Sequence, residues 1–202
     1  MKQILIAFTA IAVAAAPALA APTVGKPAPN FTLTDVNGKR VSLSAFRGKT
    51  VVLEWNNPEC PFVKKHYGSG NMQKAQAAAA KDGVVWLTIN SSAPGKQGHM
   101  SGAEAKAFLG QSGARPAAYL LDPGGAAGKS YEAKTTPHMY IVNKAGTLVY
   151  AGGIDDKPTP FPADVNGARN HVLAALAEMK AGKPVSLATS RPYGCAVKYK
   201  DS

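Results

Sequence analysis

The chain has 202 residues, 46% of them hydrophobic, 17% charged and 7% aromatic, which suits one buried core and excludes a wholly disordered polymer. The 20 Gly show no fixed period and only two Cys are present, so collagen-like and disulfide-scaffold classes fall away. The 23 Lys and Arg against 12 Asp and Glu give a net charge of +11, but the excess is dispersed and comes with neither an aromatic-basic RNA motif nor a zinc-finger spacing, which argues against nucleic acid as partner.

The chain opens with Met1 and Lys2, an apolar stretch over residues 4–16, and the small-residue run Ala18-Leu19-Ala20. This is the pattern of a secretory signal peptide cleaved after Ala20. No other segment approaches the roughly 20 apolar residues of a membrane helix. The expectation is an exported, soluble protein of the periplasm or exterior, with a leader over 1–20, a domain over 21–182 and a tail over 183–202 that carries Cys195.

In chain order, an extended lead-in at 27–30 precedes a hairpin of 31–34 and 40–43 around Val36-Asn37-Gly38. Residues 50–55 read as a buried strand, and a helix opens near Pro61, a residue tolerated at the first helical position. Gly68 and Gly70 interrupt that helix, which resumes over 71–81. Asp82-Gly83 then turns into a strand over 84–89. Ser101 and Glu104 form a capping box that starts a helix to Gln111, followed by a strand over 117–121. A turn at 122–125, a short helix over 126–131 and a hairpin of 138–142 with 147–151 come next. A last helix is predicted from Asp164 through Val165, Ala168, Val172, Leu176 and Met179 to a stop at Gly182. Alternating strands and helices ending in a hairpin define an α/β sandwich with a mixed sheet and an N-terminal β-hairpin extension.

Chemistry concentrates at Cys60, just after a buried strand and at the mouth of a helix. Unpaired N–H groups and the helix dipole favour thiolate there, lowering the thiol pKa below the free value of about 8.5. Lys64, one turn on, would add to this effect, and Glu59 would oppose it.

Trp55, Cys60-Pro61 and the following helix, with Thr135-Thr136-Pro137 ahead of a hairpin, resemble the thioredoxin-like redoxin and peroxiredoxin superfamily over roughly residues 22–182. The blocks Glu54-Trp55 through Lys64-Lys65-His66-Tyr67, Gly153-Ile154-Asp155-Asp156 and Tyr193 through Tyr199 are similar to a peroxiredoxin-like branch. The resemblance implies a thioredoxin-like fold, a redox nucleophile at Cys60, and a cis Thr136-Pro137 bond that sets Thr136 against the sulfur. It also implies a peroxide or a disulfide as oxidant, an external thiol as reductant, and no cofactor or resident metal. Two departures stand out. Val63 occupies the place of a thioredoxin's second cysteine, and Asn57 that of a peroxiredoxin's hydroxyl residue, where its amide would have to orient the peroxide. Arg115 is the candidate for the usual active-site arginine.

Cys195 is then the sole candidate resolving thiol, acting within one chain or across a homodimer. In an oxidising compartment it is expected to pair with Cys60, either as a redox-active disulfide or as a permanent staple of a non-catalytic scaffold. Pro184 and Pro192 bar a continued helix. The odd-numbered Val185, Leu187, Tyr193, Val197 and Tyr199 suggest a docked extended segment. Cys60 with His138 offers ligand types that suit copper, but Lys64 stands where copper-delivering relatives carry a second cysteine.

Overall fold

The structure is a computed structural model that describes residues 22–201, so the expected leader lies outside the described residues. Its strands and helices run β1 (Thr32–Asp35), β2 (Arg40–Ser42), β3 (Val51–Trp55), α1 (Pro61–Gly68), α2 (Asn71–Lys81), β4 (Val85–Asn90), α3 (Gly102–Ser112), β5 (Ala118–Leu121), α4 (Ala126–Ser130), β6 (Thr135–Thr136), β7 (His138–Val142), β8 (Leu148–Gly152), α5 (His171–Lys180) and β9 (Cys195–Ala196). Seven strands form one sheet in the order β2-β1-β5-β4-β3-β7-β8. The β3-β4 and β4-β5 pairs are parallel and the remaining pairs antiparallel, so the sheet is mixed, as the alternating pattern predicts.

β3 lies at the heart of the sheet and is buried at all five positions. Its side chains alternate between faces, as strand geometry requires. Val51, Leu53 and Trp55 join Tyr131, Tyr140 and Val142 in the core on one face. Val52 faces the other core with Cys60, Val63, Met72, Val172 and Leu176, from α1, α2 and α5. The Ser101 capping box is present, with Glu104 N–H donating to Ser101 Oγ and Ser101 N–H to Glu104 Oε2.

One helix boundary differs from expectation. Residues Pro162–Val165 form a separate 3-10 turn, and α5 starts only at His171. Gly167, at φ +78°, breaks the chain between them, and Asn170 caps the true helix by accepting from Leu173 N–H at 2.9 Å. Val165 and Ala168 fit the helical spacing without belonging to the helix.

The tail is extended and docked. Ser190 N–H donates to Ala151 O at 3.2 Å along the edge of β8, and Val197 N–H donates to Lys134 O at 3.0 Å. β9 pairs antiparallel with β6, in the register Thr136 opposite Cys195. The expected alternation holds only in the second half: Tyr193 and Val197 are buried, whereas Leu187 is 38% exposed.

Candidate active site

Cys60 is the N-cap residue of α1, with Pro61 at the first helical position, so the strand-to-helix turn fixes the sulfur at the C-terminal edge of β3. The residue is fully buried. As a thiol it donates to Thr136 O at 3.0 Å, and the Thr136-Pro137 peptide bond is cis. Because Cys195 is the register partner of Thr136, the tail brings a second sulfur to the same point. Both cysteines are free thiols, Cys60 buried and Cys195 partly exposed, and they lie near enough for each to shift the other's acidity. The structure places the two sulfurs as neighbours with no bond between them.

The two thiols are pushed in opposite directions. Burial raises the Cys60 pKa, but hydrogen bonds from the Cys195 thiol, from Thr136 and from the Cys195 and Val63 amides outweigh it, so the net change is downward from 9.0. Burial, then the hydrogen bond and charge of Cys60, push Cys195 up to about 11. Among the hydrogen bonds that lower the Cys60 pKa, that from the Cys195 thiol counts most and that from the Val63 amide at the helix start counts least.

Gly194 makes this approach feasible. At φ +127° it sits so close to the cis-proline turn that a Cβ would lie 2.0 Å from Thr136 O. A Gly194→Ala chain must move the tail or the turn, at a cost of about 1–3 kcal/mol. Faster alkylation of Cys60 than in the wild type is the expected outcome, and an unchanged rate would show that β9 does not shield the sulfur.

The residue before Gly194 locks the tail to the helix of Cys60. Tyr193 OH donates to Asp155 Oδ1 and packs edge-on against Phe62. Asn71 Nδ2 meets His66 Nδ1 at 2.8 Å, which leaves the ring proton on Nε2, 3.1 Å from Tyr193 OH. The chain thus runs Asn71, His66, Tyr193, Asp155. Lys65 is also buried, with Nζ donating to Lys157 O at 2.7 Å.

Burial holds His66 neutral, depressing its pKa to about 4 against the opposing charge of Asp155. A folded-state pKa below the free 6.5 means that the unfolded chain binds the proton more tightly, so this stability is full above pH 6.5 and is lost as pH falls towards 4. The loss is about 3 kcal/mol. Denaturation midpoints measured from pH 7 to pH 4 should fall less in His66→Gln than in the wild type; equal slopes would remove His66 as the cause.

A second buried carboxylate, Glu54, lies on the same face of β3 as Val52. It accepts from Tyr67 OH at 2.6 Å, Trp86 Nε1 at 2.8 Å, Thr88 Oγ1 at 3.1 Å and Asn56 Nδ2 at 3.1 Å. Burial nonetheless raises its pKa above 4.5.

The structure brings together Cys60, Cys195, Thr136, Pro137 and Pro61, and places the other expected residues elsewhere. Trp55 belongs to the opposite core, its Nε1 donating to Ser91 Oγ at 3.0 Å. Lys64 and Glu59 are exposed, so water screens their charges from the buried sulfur. Asn57 Nδ2 donates to Gln97 O at 3.3 Å and its Oδ1 accepts from Glu59 N–H, so its amide shapes a loop. Arg115 precedes β5, which runs parallel to β4 and β3, and so sits at the sheet edge opposite Cys60. His138 is buried beside Tyr140, whose OH lies 3.0 Å from its Nδ1. Sequence reasoning did not assign roles to Glu54, His66, Asp155 or Tyr193. The available signal was a carboxylate inside an apolar strand.

A mixed sheet between helices, with a helix-capping cysteine facing a cis-proline turn and a second thiol, defines a thioredoxin-like dithiol protein. Residues 23–172 match the Redoxin family, and the chain belongs to that family. It is 34% identical over 74 residues to the thiol-disulfide oxidoreductase ResA of Bacillus subtilis, a match covering 33% of this chain and 41% of ResA. The chain thus spans less than half the length of that curated relative. Among solved structures, it is similar to an uncharacterized conserved protein from Geobacillus kaustophilus, with TM-score 0.75 and 29% identity over 89% of this chain and 94% of that one. A hypothetical protein from Sinorhizobium meliloti shares the fold at TM-score 0.77 and 24% identity, over 91% and 98% of the two chains. Among the described residues no helix is long and apolar enough to cross a membrane.

Proposed function

We propose that the protein is an exported thiol-disulfide oxidoreductase whose working group is the Cys60–Cys195 pair. The observation that supports this most is the contact of two thiols with oppositely shifted acidities at the cis-proline turn. While the cysteines are reduced, β9 is held over Cys60 by non-covalent contacts alone, and once it moves aside Cys60 supplies the thiolate that attacks an acceptor disulfide, expelling one acceptor thiol and forming a mixed disulfide. Cys195 then attacks the Cys60 sulfur and expels the second. Two electrons and two protons pass from the cysteines to the acceptor, leaving a Cys60–Cys195 bond, and an external thiol restores the pair.

A disulfide suits this site as acceptor better than a peroxide. The Asn57 amide is committed to Gln97 O, and Arg115 lies at the far edge of the sheet, so neither is in place to orient a peroxide. Equilibration in buffers of reduced and oxidised glutathione, read by peptide mass, tests the reading. A Cys60–Cys195 bond that forms and reopens as the ratio is varied is expected. A pair that never bridges would exclude the dithiol cycle, and a bond that resists reduced glutathione would favour a structural staple on a binding domain.

A further inference from the structure

The two sulfurs differ in how an outside molecule can reach them. Cys60 is fully buried beneath α1, the cis-proline turn and β9, whereas Cys195 is partly exposed. The lock on Tyr193 keeps β9 over Cys60, because Tyr193 is tied to Asp155 and His66 and wedged against Phe62. Beside β9 lies a cleft of about 570 Å³ lined by Asp155, His171, Arg191, Tyr193, Gly194 and Thr135. It reaches the residue before Cys195 and the residue before Thr136. Thiol exchange needs approach to one sulfur in line with the other, so an accessible sulfur backed by a buried one can be attacked from one side only.

We infer that an external thiol reduces the oxidised pair by attacking Cys195, with Cys60 as the leaving thiolate. This rests on the dithiol cycle above and inverts the order of a pair in which the helix-capping cysteine is the one attacked. In the first step the incoming thiolate forms a bond to the Cys195 sulfur, the Cys60–Cys195 bond breaks, and its electron pair stays on Cys60. A second thiol attacks the mixed disulfide at the incoming sulfur, releasing the oxidised disulfide and the Cys195 thiolate. Two thiols are oxidised, one protein disulfide is reduced, and the two protons end on the cysteines. Cys60 is the hidden sulfur, so the open line of attack ends on Cys195.

The test uses the full mature chain. The protein, oxidised with oxidised glutathione and freed of excess, is mixed with one equivalent of reduced glutathione, quenched at intervals with acid, labelled with N-ethylmaleimide in denaturant so that buried thiols react, and mapped by peptide mass. The expected result is glutathione on Cys195 and maleimide on Cys60 as the dominant species, because the buried sulfur is closed to the incoming thiol. Glutathione on Cys60 with maleimide on Cys195 would overturn the inference and leave the dithiol cycle standing. No adduct on either cysteine at any quench time, with the bond still intact, would overturn both.

Discussion

Replacing Cys195 by alanine is expected to raise the pKa of Cys60 and to stop turnover after a single exchange. The rise follows because the largest influence lowering that pKa is the hydrogen bond from the Cys195 thiol, and the chain loses it while Cys60 stays inside the α1 core. Turnover stops because no other cysteine exists to open the mixed disulfide. A thiol held in contact attacks as if at very high concentration, so multi-turnover activity should fall by about two orders of magnitude or more. Cys195→Ser keeps a hydroxyl donor at the site. It should therefore retain part of the low pKa while losing turnover just as fully, which separates the electrostatic role of residue 195 from its covalent one. Ultraviolet thiolate absorbance against pH, run beside a glutathione-coupled assay, reads both quantities. Unimpaired multi-turnover activity in either variant would mean that Cys195 is not the resolving thiol.

Glu54→Leu should be the most destabilising single change in the site region, by about 3–5 kcal/mol, because it leaves buried donors on Tyr67, Trp86 and Thr88 without their acceptor. Glu54→Gln keeps one acceptor oxygen and should cost less, and it isolates a pH effect. Burial raises the folded-state pKa of Glu54 above 4.5, so between 4.5 and the raised value the folded state binds the proton more tightly than the unfolded chain. Stability drawn from this group is therefore greatest below that window and falls as pH rises through it. The Gln variant lacks the fall, so its stability relative to the wild type should improve as pH rises. His66 and His138 act with the opposite sign, both held neutral by burial, which makes the difference between variant and wild type the quantity to follow. A difference that does not change with pH would show that Glu54 holds the same charge in the folded and unfolded chain.

Much of the fold was legible because it is written locally. The Asn37-Gly38 turn, Pro61 at a helix start, the Ser101–Glu104 capping box and the apolar run of β3 each act within a few residues, and all appear where the pattern puts them. The start of α5 was misread for the same local reason: Val165 and Ala168 carry the right spacing, but the left-handed Gly167 and the Asn170 cap decide where the backbone can turn. Cys60, Thr136 and Pro137 were legible through the resemblance, and Cys195 because no other partner thiol exists.

The chemistry around those residues was settled by long-range packing. Strand alternation sends Trp55 to one core while Cys60 caps the helix on the other, so two residues five apart in the chain never share a site. Lys64 points to solvent because the buried face of α1 is taken by Val63, Lys65, His66 and Tyr67. The hydrogen bond that lowers the Cys60 pKa most comes from Cys195, 135 positions away in the chain, a contribution that local sequence cannot show. Sequence alone determined the fold class and the two sulfurs. Only the tertiary structure decided that the tail is locked by Tyr193, that Gly194 lets it approach, and that Cys60 is the hidden member of the pair, because burial and hydrogen bonding at a site depend on segments the local sequence cannot bring together.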